Sequence, residues 1–448
     1  MKGGESEGLE DEEYGLVWPG RRAARALAED PPMHVLEERP GRGRYEEATK
    51  NLLVEGDNLE AMKLLRPGFA GVIKLAYLDP PYNTGRQMVY ADRFRQSVRR
   101  TGPSRDDGHV QVRGRRHSAW LSMMLPRLLL VRELLHPRGA VMISLDDAEL
   151  PRARELCDEV FGPDQFLATL VWEKAHTRKN SAKGFSVSHE YVLVYARNAG
   201  SWDRVLLPRV DTRAYRNPDG DPKGPWKLDP ITAHNPYGAR YSLRTPWGTE
   251  LAPPEGRFWA FSEETLRCKE AEGALVWGRP GRYPLVKRYL SETQDGLVPT
   301  TLLSRTMVGD TATARRELDA LLGARGVFEY PKPLGLMRHL LRVATRPGDV
   351  VLDVFGGSGS MAHAVWLTNL EDEGSRRWIT LQQPEALSTE IARQRASAEF
   401  CLRQGQPCNL AQVTRLRLLR AAETLQSLTQ DLGFKVSALS PQEPSGLS

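Results

Sequence analysis

The sequence predicts an α/β fold: a mostly parallel sheet with helices on both faces. Two observations carry this. Short runs that are apolar on both faces alternate with stretches of helical spacing, and this rhythm, lost in the middle of the chain, returns near its end. At 448 residues, 40% hydrophobic and 27% charged, the chain has the balance of a globular protein with two or three packed units.

The elements follow in order. Residues 1–45 are charged, rich in Gly, Pro and Arg and without periodicity, and read as a loose extension. Residues 46–199 read as the first part of the α/β domain. Asn51–Val54 is a short buried strand, Leu59–Leu65 has helical spacing, and Val72–Leu78 is a second strand stopped by Asp79-Pro80-Pro81-Tyr82. Trp120–Leu135 is helical by pattern, with Pro126 set to kink or split it. Ala140–Leu145 is a strand, Asp147–Phe161 a helix and Tyr191–Ala196 a further strand. Residues 200–325 break the rhythm and are rich in Pro, Gly, Trp and Tyr, as an irregular or β-containing insertion would be. The second α/β part, 326–386, holds strands Asp349–Val354 and Arg377–Leu381 around a helix from Ser360 to Leu367, and 387–448 reads as a helical tail.

No apolar run reaches the roughly 20 residues of a membrane span, and the N-terminus is acidic where a signal peptide is basic and then apolar, so a cytoplasmic protein without a membrane partner is expected. Four scattered cysteines form neither a disulfide framework nor a metal site. The net charge is only +5, but residues 86–116 hold nine arginines against three aspartates. That concentration suggests a polyanionic partner, with Arg93, Arg95, Arg99, Arg100, Arg115 and Arg116 as candidate contacts to it.

Two motifs carry chemistry. Asp353-Val-Phe355-Gly356-Gly357-Ser358-Gly359 lies between a strand and a helix, where glycines let the backbone turn sharply and approach a ligand while the helix N-terminus offers free N–H groups. No Gly-Lys-Ser/Thr follows, which excludes a Walker-type phosphate loop. In Asp79-Pro80-Pro81-Tyr82 the prolines remove two N–H donors, so the Asp79 carboxylate and the Pro80 carbonyl present acceptors beside the π-face of Tyr82. Two acceptors beside a stacking platform suit the exocyclic amine of a flipped-out base. His189-Glu190, adjacent in a strand, point to opposite faces and read as structural. Pro407-Cys408 lies in a polar loop of the tail, and at least one of Asp146 and Asp147 reads as a helix cap.

With these motifs in view, the chain resembles the β-class amino-group DNA methyltransferases, the adenine-N6/cytosine-N4 family that includes type III modification subunits. Stretches matching in order are 51–65, 75–85, 117–135, 139–149, 185–198, 330–333 and 350–374. The resemblance implies a Rossmann-like, S-adenosylmethionine-dependent sheet with circularly permuted motif order, in which the strand ending at Val354 lies beside the one ending at Leu78. It places the cofactor over Phe355, Gly357, Ser358 and Gly359, with Asp353 supporting the turn, Asp57 at the adenine end, Lys332 on the methionine carboxylate and Gln382 where relatives often hold the ribose with an acid. It implies methyl transfer to adenine N6 in double-stranded DNA, with 200–325 as the target-recognition region, and leaves open a restriction partner or a solitary enzyme, and a homodimer. Cytosine N4, RNA or a protein glutamine as acceptor, and a catalytically silent DNA-binding subunit, are the alternatives.

Overall fold

The computed structural model describes residues 15–83, 108–178, 182–208, 212–234, 241–293, 296–425 and 430–442, with only the backbone for 108–115. The chain divides into two compact units: Met1–Val205 with Thr300–Ser448, and Leu206–Pro299.

The first unit is built on ten strands: β1 His34–Glu38, β2 Leu52–Glu55, β3 Ile73–Leu78, β4 Leu135–Leu145, β5 Phe166–Glu173, β6 His189–Ala196, β7 Leu302–Leu303, β8 Val350–Asp353, β9 Arg377–Gln382 and β10 Lys435–Pro441. Their order across the sheet is β1-β10-β2-β9-β8-β3-β4-β6-β5-β7. From β10 to β4 all neighbours are parallel, whereas β6 runs antiparallel to β4 and β5, and β1 antiparallel to β10. The predicted parallel core is therefore present, with antiparallel strands toward both edges. All six residues of β3 and all four of β8 are buried, as strands covered on both faces must be.

Among the described residues, the helices of this unit longer than one turn are α1 Arg21–Glu29, α2 Asn58–Phe69, α3 Gly108–Leu134, α4 Leu150–Phe161, α5 Thr311–Leu322, α6 Leu334–Ala344, α7 Ser360–Asp372, α8 Arg395–Arg403 and α9 Leu410–Leu425. α3 runs unbroken through Pro126. Proline removes the N–H that would bond the Ser122 carbonyl one turn back, and the neighbouring Arg127 guanidinium folds back along the helix to donate to the Met123 carbonyl at 2.8 Å.

Other expectations also need correction. Residues 15–45 are not loose: Trp18 is buried and donates to Ser122 Oγ at 2.9 Å, α1 buries Ala24 and Ala28, and β1 pairs with β10. The tail is not all helical, since β10 inserts between β1 and β2, a pairing between residues nearly 400 apart that no local pattern announces. Neither Asp146 nor Asp147 caps α4, whose N-cap is Glu149; Asp146 accepts instead from the Ala148 N–H at 2.9 Å.

The second unit is narrower than 200–325, because residues 300–325 supply β7 and α5 to the first. It holds a three-stranded antiparallel sheet of Leu275–Val276, Leu285–Tyr289 and Trp226–Pro230, a helix Glu263–Ala271 capped by Ser262, and a core of Ile231, Leu243, Trp259, Leu266, Leu275 and Val286. Among the described residues no helix is long and apolar enough to cross a membrane.

Candidate active site

The register of the sheet decides the site. β8 pairs with β3 so that Leu352 faces Ala76 and Asp353 faces Tyr77, and the Val354 N–H donates to the Tyr77 carbonyl at 3.0 Å. Both strands end at the same edge, so Asp79-Pro80-Pro81-Tyr82 and the glycine turn leave the carboxyl edge side by side, where open α/β sheets bind ligands.

Around the first motif a neutral phenol stands between two lysine–carboxylate pairs. The Lys332 ammonium donates to both Asp79 oxygens at 2.6 Å and lies 5.2 Å from the centre of the Tyr82 ring. The Tyr82 hydroxyl lies 3.0 Å from Asp79 Oδ1 and 3.2 Å from Glu190 Oε2, and Lys174 donates to Glu190 Oε1 at 2.8 Å. Burial, followed by the negative charges of Asp79 and Glu190, holds the Tyr82 phenol well above its ordinary range, so it stays protonated. Trp120 Nε1 donates to the Pro81 carbonyl at 2.8 Å, and the buried Glu149 carboxylate accepts from Asn83, which sits at φ 53, and contacts His117 at 2.7 Å. The prolines fix the backbone and these contacts fix its far end.

The second motif turns through Gly357 at φ 53 and Gly359 at φ 78, conformations that favour glycine. A Cβ on Gly356 would lie 2.5 Å from Thr380 Cγ2, so backbone and β9 meet too closely for any side chain. From α9, Thr414 Oγ1 donates to the Gly357 carbonyl at 2.6 Å, and Arg417 Nη1 donates to Ser358 Oγ at 2.8 Å and Ser360 Oγ at 2.7 Å. Arg417 is 1% exposed, and burial brings its guanidinium down to about 10. Ser360 Oγ donates in turn to the Lys332 carbonyl at 3.0 Å, which ties the turn to the residue gripping Asp79.

The residues present fit a nucleoside-bearing cofactor. Asp353 Oδ1 and Gln382 Oε1 are buried without a hydrogen-bond partner in the structure, and both belong to strand ends at this edge. Burial first, then the charge of Asp79, raises the Asp353 carboxyl to about 8. Asp57 caps α2 by accepting from the Leu59 and Glu60 N–H groups at 2.9 and 3.1 Å, and its other oxygen takes Arg127 Nη2 at 3.2 Å. It is engaged in the fold on both oxygens. Lys332, expected at a ligand carboxylate, bonds Asp79.

Arg93, Arg95, Arg99 and Arg100 lie outside the described residues, as does the side chain of Arg115; Arg116 is exposed on α3. Among the described residues no cluster of His, Cys, Asp and Glu could hold a metal. Cys408 is half-buried in the helical cluster formed by α5, α8 and α9. His189 and Glu190 do point to opposite faces, His189 onto Tyr191 at 2.8 Å, but the Glu190 face is the site. Sequence reasoning missed the roles of Glu190, Lys174, Thr414 and Arg417 because each reaches the motifs from a distant element; only the place of Glu190 at the start of an apolar strand was visible.

A family model for N6/N4 DNA methylases matches residues 73–395. The chain is 31% identical over 404 residues to the type III restriction-modification enzyme StyLTI Mod subunit of Salmonella typhimurium, covering 86% of this chain and 59% of that one. It is 32% identical over 429 residues to the EcoPI Mod subunit of Escherichia phage P1, covering 85% and 65%. To the type II methyltransferase M.KpnI of Klebsiella pneumoniae it is 29% identical over 368 residues, covering 77% and 84%. The chain thus spans less than two-thirds of the length of the two Mod subunits. Because the family match takes in Asp79-Pro80-Pro81-Tyr82, the insertion and the glycine turn together, this chain belongs to the N6/N4 DNA methylase family.

Proposed function

We propose that the chain transfers a methyl group from S-adenosylmethionine to N6 of adenine in double-stranded DNA, in the cytoplasm. The observation that carries this is the parallel pairing of β8 with β3, which opens the glycine turn and Asp79-Pro80-Pro81-Tyr82 onto one edge. S-adenosylmethionine, when bound, supplies a methyl group activated on a sulfonium sulfur. Phe355 and the backbone of Gly357, Ser358 and Gly359 hold the donor, with Gln382 and Asp353 offering acceptors. Asp79 and the Pro80 carbonyl orient the amine and stabilise the positive charge that grows on it, which is electrostatic stabilisation by preplaced acceptors. The face of Tyr82 stacks on the extruded base. Residues of Leu206–Pro299 read the target, and the arginines of 86–116 hold phosphates. Similarity to type III Mod subunits supports a restriction subunit as partner, and a homodimer is compatible with it.

The acid in the first position of the motif favours adenine, since relatives acting on cytosine N4 more often carry serine there. Mass spectrometry of nucleosides from DNA incubated with the protein and S-adenosylmethionine should show N6-methyladenine. N4-methylcytosine alone would overturn the assignment of base, and failure to bind labelled S-adenosylmethionine would leave a silent DNA-binding subunit.

A further inference from the structure

From the geometry we infer that Glu190, acting through the Tyr82 hydroxyl, is the terminal acceptor of the proton that the target amine loses. This rests on the methyl-transfer reading above. The Tyr82 oxygen lies within hydrogen-bond distance of two carboxylate oxygens, Asp79 Oδ1 at 3.0 Å and Glu190 Oε2 at 3.2 Å. A phenol has one proton to donate, so only one of these contacts can be a hydrogen bond at a time. The trio is short of one proton, and the reaction releases one. Glu190 is 9% exposed, and it comes from β6, two strands away from β3 in the sheet.

The step balances. The amine nitrogen bonds the methyl carbon while the carbon–sulfur bond breaks, leaving its electron pair on sulfur. The resulting ammonium gives a proton to Asp79, Asp79 returns it to Tyr82 as the phenol passes its own to Glu190, and both contacts of Tyr82 then carry a proton. The net change is one proton moved from N6 to Glu190, with Asp79 and Tyr82 restored. Charged and titratable groups facing Glu190 are Lys174 at 2.8 Å, Asp146, Tyr77 and Asp79, with Lys332 held on Asp79.

Single-turnover methyl transfer by the full chain, followed against pH, tests this in wild type, E190Q, Y82F and the double variant. E190Q keeps the volume and an acceptor for Lys174 but cannot take the proton. It and Y82F should each slow the step by about 10²-fold, the lower end of the range for positioned proton transfer, and the double variant should be no slower than either. The acid limb of the wild-type profile should flatten in E190Q. Affinities for S-adenosylmethionine and DNA should not change. Y82F, which keeps the ring, decides the matter if E190Q does not fold: Y82F at the wild-type rate overturns the relay, as do multiplicative losses in the double variant. Wild type that transfers no methyl overturns the function reading, and the relay with it.

Discussion

On the proposed function, Asp79 is a side chain held ready for a charge that appears only during reaction. Its carboxylate is gripped by Lys332 on both oxygens and touched by Tyr82, so its position is set before any amine arrives. Replacing it by Ala should reduce methyl transfer by at least about 10²–10³-fold, the loss expected for one preplaced electrostatic partner, while calorimetric affinity for S-adenosylmethionine stays near wild type. A variant with near-normal turnover would remove Asp79 from the mechanism. Asp353, next to it, responds to pH. Its folded carboxyl is raised to about 8, chiefly by burial, so the native state binds its proton more tightly than the unfolded chain does. The stability this confers is full below the unfolded value of about 3.9 and is lost as pH rises toward 8. Asp353→Asn is neutral throughout, so its melting temperature relative to wild type should climb between pH 5 and pH 8.5; a gap that does not change with pH would contradict the assignment.

At the scale of elements, α9 acts as the back wall of the glycine turn. Thr414 holds the Gly357 carbonyl and Arg417 holds both serine hydroxyls, although the helix is separated from the turn by some fifty residues of sequence. Arg417→Met keeps the apolar stem but leaves Ser358 and Ser360 without their donor. Equilibrium denaturation should show a loss of about 1–3 kcal/mol for the unsatisfied buried groups, and S-adenosylmethionine binding should weaken several-fold. Unaltered affinity would mean that the turn holds its shape without α9. The same wiring explains why the helical composition of the tail was legible and its purpose was not: amphipathic spacing marks a helix, but the identity of the surface it covers depends on a partner elsewhere in the chain.

For the whole molecule, the α/β unit holds both sequence motifs and Leu206–Pro299 folds on its own small core. If the arginines of 86–116 hold phosphates, replacing Arg99, Arg100, Arg115 and Arg116 together by Gln should flatten the log–log salt dependence of DNA binding by about two to four units, at roughly 0.9 per phosphate. Sequence preference should be unchanged, and should follow substitutions in 206–299 instead. An unaltered slope would mark the stretch as a solvated loop. By itself the sequence determined the parallel core, the two motifs at strand ends and the insertion between them. Doubly buried strands, prolines and glycine turns impose local signatures that do not depend on the rest of the chain. Only the tertiary structure decided that residues 15–45 pack, that β10 joins the sheet beside β2, and that Glu190, Lys174, Lys332 and Arg417 converge on the motifs. Those contacts join residues tens to hundreds of positions apart. Their formation depends on strand order and register, which a linear pattern of apolar and polar residues does not encode.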